Sequence, residues 1–171
     1  LPSFDIPLSF IWSKVYQQIH LGLVERQDEK GVVPYGVSFP QYQYNNGKGA
    51  IGEKLRIFAR SEEELVALGI KRWLERLADY VHVTGVREVP GKIEGYAVYQ
   101  RMRQENNADQ KARRYLMRHQ DPKITYEETV SMFSQKKRQT CNLPYIQQKS
   151  LTNHNPFRLH IEKKVYQEPL Y

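Results

Sequence analysis

The feature that most constrains the fold is an apolar repeat near the start of the chain. Ile11, Val15, Ile19 and Leu23 recur every fourth residue, and this spacing places all four side chains on one face of a helix. We therefore predict a helix over residues 9–26 whose apolar face is buried. The polar segment that follows, Gln27–Gly31, is expected to end the helix.

The next segments carry strand signals. Val37–Phe39 predicts a short strand, and the alternation of Leu55, Ile57 and Ala59 predicts another. Between them, Gln41–Gly49 is rich in polar residues. We predict a loop there.

A capping box then opens a second helix. Ser61 and Glu64 stand three residues apart, so each can satisfy a backbone N–H of the first helical turn. Apolar side chains continue as far as Leu77, and Val81 and Val83 suggest one more strand. The order helix, strand, strand, helix, strand lacks only the leading strand of a ferredoxin-like βαββαβ unit. The sequence therefore predicts an α+β protein with a ferredoxin-like domain over residues 1–90.

A second α+β domain is predicted over residues 91–171. Val89–Gly95, with its proline and two glycines, is the best candidate for a linker. The elements predicted after it are a strand over Tyr96–Arg103, a basic helix over Asn107–Gln120, a helix that begins at a second capping box, Thr125-x-x-Glu128, and two strands over Leu143–Gln148 and Phe157–Lys163.

Composition limits the class of partner. The chain has 26 Lys and Arg against 19 Asp and Glu, a net charge of +7 and a pI near 9.4. No apolar run approaches the roughly 18 residues of a membrane span, and the single Cys141 cannot form an internal disulfide. We expect a soluble, cytoplasmic protein with no membrane association and an anionic partner, nucleic acid first.

The basic helix is the strongest signal for such a partner. Lys111, Arg114 and Arg118 lie at i, i+3 and i+7 and form one stripe, and Arg113 adds charge beside it. A stripe of cations at this pitch can follow a phosphate backbone. The ordinary alternative is a solvated helix face, but few acidic residues stand nearby to pair with it. On the preceding strand, Arg101 and Arg103 share a face and could bind guanine edges or phosphates.

Other motifs favour ordinary structural roles. Residues 47–52 match G-x-G-x-x-G, but a dinucleotide site needs a helix directly after the motif, and a strand is predicted there. The five histidines are scattered without metal-ligand spacing, so no metal and no cofactor is expected. Taken alone, His20 indicates a histidine at the edge of the core, and Ser150 indicates turn chemistry.

A set of short stretches, taken in order, is more specific than any of these motifs. It comprises Ile19-His20, Leu23-Val24, Gly36–Pro40, Gly52–Ile57, Arg113–His119, Leu143-Pro144-Tyr145, Ser150 and Phe157-Arg158-Leu159. Through these pieces, which cover most of the chain, the sequence resembles the CRISPR repeat-RNA endoribonucleases of bacterial type I-F systems. The family fold is a ferredoxin-like domain followed by a domain with an arginine-rich helix.

The resemblance implies a role for each matching residue. His20 takes the position of the catalytic histidine, Ser150 that of the serine holding the attacking ribose hydroxyl, and Phe157 that of an aromatic stacking near the cut. Arg101 and Arg103 take the positions that read the base of the repeat hairpin, with Gln104 a competitor for the second reader. The helix along the hairpin stem would contribute Lys111, Arg113, Arg114 and Arg118.

The chain also departs from the family. Tyr115 and His119 stand where the family helix often carries arginine, and the leading strand has no counterpart before Leu1. The segment after Lys164 lacks a recognisable counterpart of the family's C-terminal active-site tyrosine.

The resemblance implies an endoribonuclease of antiviral defence that processes precursor CRISPR RNA. It would cut at the 3′ base of each repeat hairpin without a metal, leave a 2′,3′-cyclic phosphate, and stay with the guide RNA in the effector (Cascade) complex. Its partners would be the repeat RNA and other type I-F subunits. Two alternatives stay open: a non-catalytic hairpin-binding subunit of a ribonucleoprotein, and a general RNA-binding protein of ribosomal type.

Overall fold

A computed structural model of the chain describes residues 6–102, 108–119, 124–134 and 141–169. By packing, the chain divides into two units. The sheet unit comprises Leu1–Met102 and Leu143–Tyr171, and the helical unit comprises Arg103–Asn142. This division by packing does not test the predicted domains over residues 1–90 and 91–171, and their boundary stays a prediction.

The N-terminal helix is confirmed. Helix α1 spans Leu8–Glu25 and begins directly after Pro7, whose missing N–H costs nothing at a helix start. The residues buried on its inner side are Trp12, Val15, Ile19 and Gly22.

Two short antiparallel strand pairs follow α1. β1 (Gly36–Ser38) pairs with β4 (Arg56–Phe58), and β2 (Gln43–Asn45) pairs with β3 (Lys48–Ala50). The prediction of a loop over residues 41–49 is therefore wrong in part.

The cause of this difference is the dipeptide Asn46-Gly47. Both residues have positive φ, 51° and 76°, which is the conformation of the tight two-residue turn that joins hairpin strands. The G-x-G-x-x-G match runs through this turn and β3, and the next regular element is β4. The motif thus has no helix directly after it, as expected from the sequence.

The first capping box is confirmed. The Ser61 side chain accepts a hydrogen bond from the Glu64 N–H at 3.3 Å, and α2 spans Glu62–Leu68. Gly69 then adopts the left-handed conformation and ends the helix. Helix α3 (Ile70–Trp73) and a short 3₁₀ turn continue the path, so the helix predicted as far as Leu77 is divided into pieces.

The strand predicted at Val81 and Val83 is wrong. Residues 81–95 form neither helix nor strand. Both valines pack instead against a cluster of buried residues made by Val15, Ile19 and Leu74. Their alternation reflects burial against helices and not pairing with another strand.

The main sheet has three antiparallel strands in the order β5-β7-β6. They are β5 (Tyr96–Met102), β6 (Tyr145–Lys149) and β7 (Pro156–Tyr166), which confirms the strands predicted in the second half of the chain. Helix α1 packs on β6, where the Gln148 amide donates a hydrogen bond to the Ser13 carbonyl at 3.2 Å. The core between helix and sheet is made by Trp12, Phe39, Ile51, Ile146 and Ile161.

The helical unit contains α4 (Ala108–His119) and α5 (Tyr126–Ser134), which pack together. The second capping box is confirmed and is reciprocal. Thr125 Oγ1 accepts from the Glu128 N–H at 3.2 Å, and the Glu128 carboxylate accepts from the Thr125 N–H at 2.9 Å. The fully buried Ala112 and Thr129 allow close packing in this unit.

The described residues therefore combine helices with small antiparallel sheets, which agrees with an α+β class. The ferredoxin-like arrangement stays a prediction. Within the described ranges, every helix is too short or too polar to cross a membrane.

The close approach of Gly22 to Trp73 gives a stability prediction. A Cβ atom at Gly22 would lie 2.9 Å from the Trp73 ring, so alanine there forces a shift in a packed layer. We expect Gly22→Ala to lower the free energy of unfolding by up to about 2 kcal/mol, because overpacking typically costs more than the roughly 1 kcal/mol gained in helix propensity. Denaturant unfolding measures the change. Gly85→Ala is the control, since a Cβ there meets nothing within 4 Å, and equal stability of the two variants would contradict this account.

Candidate functional site

Three ring-bearing residues follow one line along α1. Trp12, Tyr16 and His20 are spaced by four residues, and their burial falls along the helix from buried to half-buried to exposed. Trp12 is fixed by a hydrogen bond from its indole N–H to the Gly52 carbonyl at 2.7 Å. The row of rings therefore runs from the core at Trp12 to the surface at His20, which lies at the edge of the core as expected.

The Tyr16 ring supports the His20 imidazole. The two ring planes are parallel to within 4°, with centroids 6.4 Å apart. This stacking follows from helix geometry, because side chains lean towards the N-terminus and a residue covers the turn before it. Burial raises the pKa of the Tyr16 phenol, and the positive charge of Arg101 opposes that rise. The phenol is accordingly neutral near pH 7.

Arg101 and Phe157 meet on the face of the sheet that packs against α1. In the register of β5 and β7, Arg101 lies opposite Ile161, and the two-residue period of a strand places Phe157 on the same face as Ile161. The centre of the Arg101 guanidinium lies 5.3 Å from the Phe157 ring centroid, within the range of a cation–π contact. Tyr16 packs against the cluster that contains Ile161.

The sheet unit thus brings together residues that are distant in sequence. His20, Tyr16, Arg101 and Phe157 come from one helix and two strands. His20 stacks with Tyr16, Tyr16 packs against the cluster with Ile161, which lies opposite Arg101, and the Arg101 guanidinium lies over Phe157. We call them the His20–Phe157 group. Of the remaining predicted base readers, Arg103 and Gln104 lie outside the described residues.

Ser150 follows β6 directly, in the loop that leads to β7. Its N–H donates to the Asn155 carbonyl at 2.9 Å, and its own carbonyl accepts from the His154 N–H at 3.0 Å. The hydroxyl accepts from the Asn153 N–H at 3.5 Å. These bonds are turn chemistry, and they hold Ser150 half-exposed at the end of the sheet where β7 begins, one residue before Phe157.

The predicted basic residues of the helical unit differ in their surroundings. Arg113, Arg114 and Arg118 are exposed, and Lys111 is half-buried. Tyr126 on α5 hydrogen-bonds the Arg113 guanidinium and so raises its pKa. These side chains keep α4 basic on its outer side, and Arg113 is also bonded to the neighbouring helix.

Tyr126 joins the two helices through its hydroxyl. It accepts the hydrogen bond from Arg113 and donates one to the Asp109 carboxylate at 3.3 Å. Some of the N–H donors of Arg113 are therefore already used within the unit, whereas Arg114 and Arg118 have no bonded partner among the described residues.

The two departures from the family helix form an aromatic contact. The rings of Tyr115 and His119 lie 4.3 Å apart, and Tyr115 also meets Phe133 of α5 edge-on at 6.0 Å. These positions take part in packing between α4 and α5, at least through Tyr115.

Sequence reasoning missed Tyr16 and Tyr126 as parts of the candidate site. The spacing of Tyr16 four residues before His20 was an available signal, because i and i+4 side chains meet on a helix. Tyr126 had no comparable local signal. Across the described ranges, no group of three or more His, Cys, Asp or Glu side chains could hold a metal ion.

Comparison with known proteins supplies the family. The model of a family described as "CRISPR-associated protein (Cas_Csy4)" matches residues 1–170. A curated relative from Escherichia coli (strain UTI89 / UPEC), named CRISPR-associated endonuclease Cas6/Csy4, is 27% identical over 161 residues, which cover 94% of this chain and 80% of the relative. These matches confirm the resemblance found in the sequence, and the chain belongs to the Csy4 family of CRISPR-associated proteins.

Proposed function

We propose that the chain is an endoribonuclease that binds the repeat hairpin of precursor CRISPR RNA and cuts it at the 3′ base. The observation that carries this proposal is the His20–Phe157 group. In a member of the Csy4 family, it joins a candidate proton-transfer residue to a candidate base reader and a candidate stacking ring. The name of the E. coli relative, an endonuclease, supports the same class of activity.

The proposed reaction is an attack by the RNA on itself. The ribose 2′ oxygen before the cut bonds to the adjacent phosphorus, and the bond from phosphorus to the 5′ oxygen breaks. The 2′ hydroxyl loses its proton, the departing 5′ oxygen gains one, and the products are a 2′,3′-cyclic phosphate and a 5′ hydroxyl. Only RNA supplies the required hydroxyl, and the proposed step needs no metal.

Two residues of the sheet unit have proposed roles in this step. His20 is exposed at the end of the aromatic line on α1, and histidine readily exchanges a proton near neutral pH. Ser150, half-exposed in the loop after β6, would hold the attacking hydroxyl in line with the leaving oxygen.

The remaining candidate residues would bind the hairpin. Arg101 would read the closing base pair with its two-pronged guanidinium, and Phe157 would stack beside the nucleotide at the cut. The predicted readers Arg103 and Gln104 keep this proposed role. Along the stem, phosphate contacts would come from α4, through Lys111, Arg113, Arg114 and Arg118.

After cleavage the protein would stay on the mature guide RNA, in a complex with other type I-F subunits. This retention accords with binding by many phosphate contacts, which do not depend on the cleaved bond. The second candidate function, a non-catalytic hairpin-binding subunit, uses the same basic helix but requires nothing of His20.

A substitution at His20 separates the two functions. We expect His20→Ala to slow single-turnover cleavage of a repeat hairpin by about 10²- to 10⁴-fold, the usual contribution of a general acid or base. Hairpin affinity should barely change, because phosphate contacts dominate it. His82→Ala, which removes another exposed histidine of the sheet unit, is the matched control.

Two further arms of that experiment test the chemistry. A hairpin with a single 2′-deoxy nucleotide before the cut should bind normally and resist cleavage, and excess EDTA should leave the rate unchanged. Cleavage by a folded His20→Ala protein at the normal rate would favour another proton-transfer residue. A wild-type protein that binds the hairpin but never cuts it would establish the non-catalytic subunit.

A second prediction concerns reading of the hairpin by Arg101. Arg101→Lys keeps the charge but loses the paired N–H donors that fit guanine. We expect a loss of about 1–3 kcal/mol in binding of the matching closing base pair, and a smaller loss when that pair is swapped. Arg158→Lys is the matched control, because Arg158 also lies over a ring, Tyr145 at 4.7 Å, but on the opposite face of β7. Equal losses for every stem would show that Arg101 contacts only the backbone.

A third prediction concerns the salt dependence of binding. Removing one side chain that binds a phosphate should reduce the slope of log K against log salt by about one. We expect Arg114→Gln and Arg118→Gln each to show this reduction, and Arg113→Gln to show less, because Arg113 is already bonded to Tyr126. Hairpin titrations over a salt series measure the slopes. Unchanged slopes in all three variants would show that these side chains bind no phosphate and that α4 presents an ordinary solvated face.

A further inference from the structure

We propose that Tyr16 is a positioning residue, which holds the His20 imidazole for proton transfer through the stacked ring one helical turn before it. This proposal rests on the proposed function, because it assigns Tyr16 a part in the step performed by His20. It concerns the ring of Tyr16 and not its hydroxyl.

The first support is the geometry of the two rings. They are parallel to within 4° with centroids 6.4 Å apart, so the flat face of the tyrosine limits how the imidazole can turn. His20 itself is exposed, and an exposed side chain otherwise samples several rotamers. A fixed imidazole matters because a misplacement of about 1 Å can cost about 10²-fold in rate.

The second support is the way Tyr16 itself is held. It is half-buried and packs against the core cluster that includes Trp12 and Ile161. Trp12 is in turn tied to the Gly52 carbonyl. A ring anchored in the core thus supports a ring that faces solvent, and core packing restricts rotamers far more than water does.

The third support is the proximity of Arg101 to the same ring. Arg101 lies opposite Ile161 in the sheet, a residue of the cluster against which Tyr16 packs, and its guanidinium lies over Phe157. Tyr16 therefore stands between the candidate proton-transfer residue and the candidate reader. An RNA base held at Arg101 and Phe157 would be positioned relative to the same anchored ring as the imidazole.

Substitutions that separate the ring from the hydroxyl test the proposal. Tyr16→Phe keeps the ring, whereas Tyr16→Leu and Tyr16→Met remove it and keep an apolar filler. We expect the ring-free variants to slow single-turnover cleavage at saturating hairpin by about 10- to 100-fold, with hairpin affinity within about threefold of wild type. Tyr16→Phe should restore the rate to within about threefold of wild type. Either ring-free variant serves if the other fails to fold.

A spectroscopic measurement tests the mechanism directly. We expect the tyrosine ring current to shift the NMR signals of the His20 ring protons, and this shift should vanish in Tyr16→Leu and persist in Tyr16→Phe. Tyr42→Leu is the matched control, because Tyr42 packs in the same cluster but pairs edge-on with Tyr99. It should lose stability without a specific loss of cleavage rate.

Several results would overturn the proposal. A normal rate in the ring-free variants would show that His20 needs no support, and equal slowing in Tyr16→Phe would assign the effect to the hydroxyl. A loss of affinity with an unchanged rate at saturation would make Tyr16 a binding residue. Failure of the proposed function has a different signature: His20→Ala and the ring-free variants would all cleave like wild type.

Discussion

The packing of α1 against the three-stranded sheet is the constraint on which the candidate site depends. Trp12 is buried in the shared core and its indole N–H is bonded to the Gly52 carbonyl, while Gln148 ties β6 to the Ser13 carbonyl. These contacts fix both the rotation and the height of the helix over the sheet. Because His20 follows Trp12 by two helical turns, the core contacts of Trp12 determine where the backbone of His20 reaches the surface.

The candidate residues belong to two kinds of surface, one in the sheet unit and one in the helical unit. In the sheet unit, a few side chains hold defined geometry through stacking and cation–π contacts. In the helical unit, α4 supplies charge through exposed arginines, of which Arg114 and Arg118 have no bonded partner within the described part of the chain. Stacked groups control orientation, whereas exposed charges act through a screened and largely non-directional attraction. Under the proposed function, we therefore expect rate and affinity to respond to different substitutions.

Local patterns predicted most of the regular elements. The four-residue repeat predicted α1, and the capping boxes at Ser61 and Thr125 predicted where two helices begin, because each signal acts within a few residues. The hairpin at Asn46-Gly47 was also predictable, but the glycine spacing there matches a phosphate-binding motif as well. The strand predicted at Val81 and Val83 failed because alternation shows burial but cannot show that a partner strand exists.

The site itself was less accessible to sequence reasoning. His20, Ser150 and Phe157 received their roles through the resemblance, since no local pattern distinguishes a proton-transfer histidine from one at the core edge. Arg101 was already indicated by the strand face that it shares with Arg103. The spacing of Tyr16 and His20 was visible in the sequence, but the packing of Tyr16 against Ile161, which lies opposite Arg101 in the sheet, was not. The bond from Tyr126 to Arg113 was not visible either, because it requires α4 and α5 to be packed.

The strand order β5-β7-β6 has a consequence for synthesis on the ribosome. β7 is the central strand of the sheet and lies between β5 and β6. While a nascent chain ends before Pro156, His20 and Arg101 already exist, but β5 has no β7 to pair with and Arg101 has no Phe157 beneath it. Since long-range antiparallel pairing waits for the later strand, the two halves of the group come together only after β7 has emerged. Under the proposed function, a partly made chain would carry basic residues that attract RNA before it has the assembled group of residues proposed to cut it.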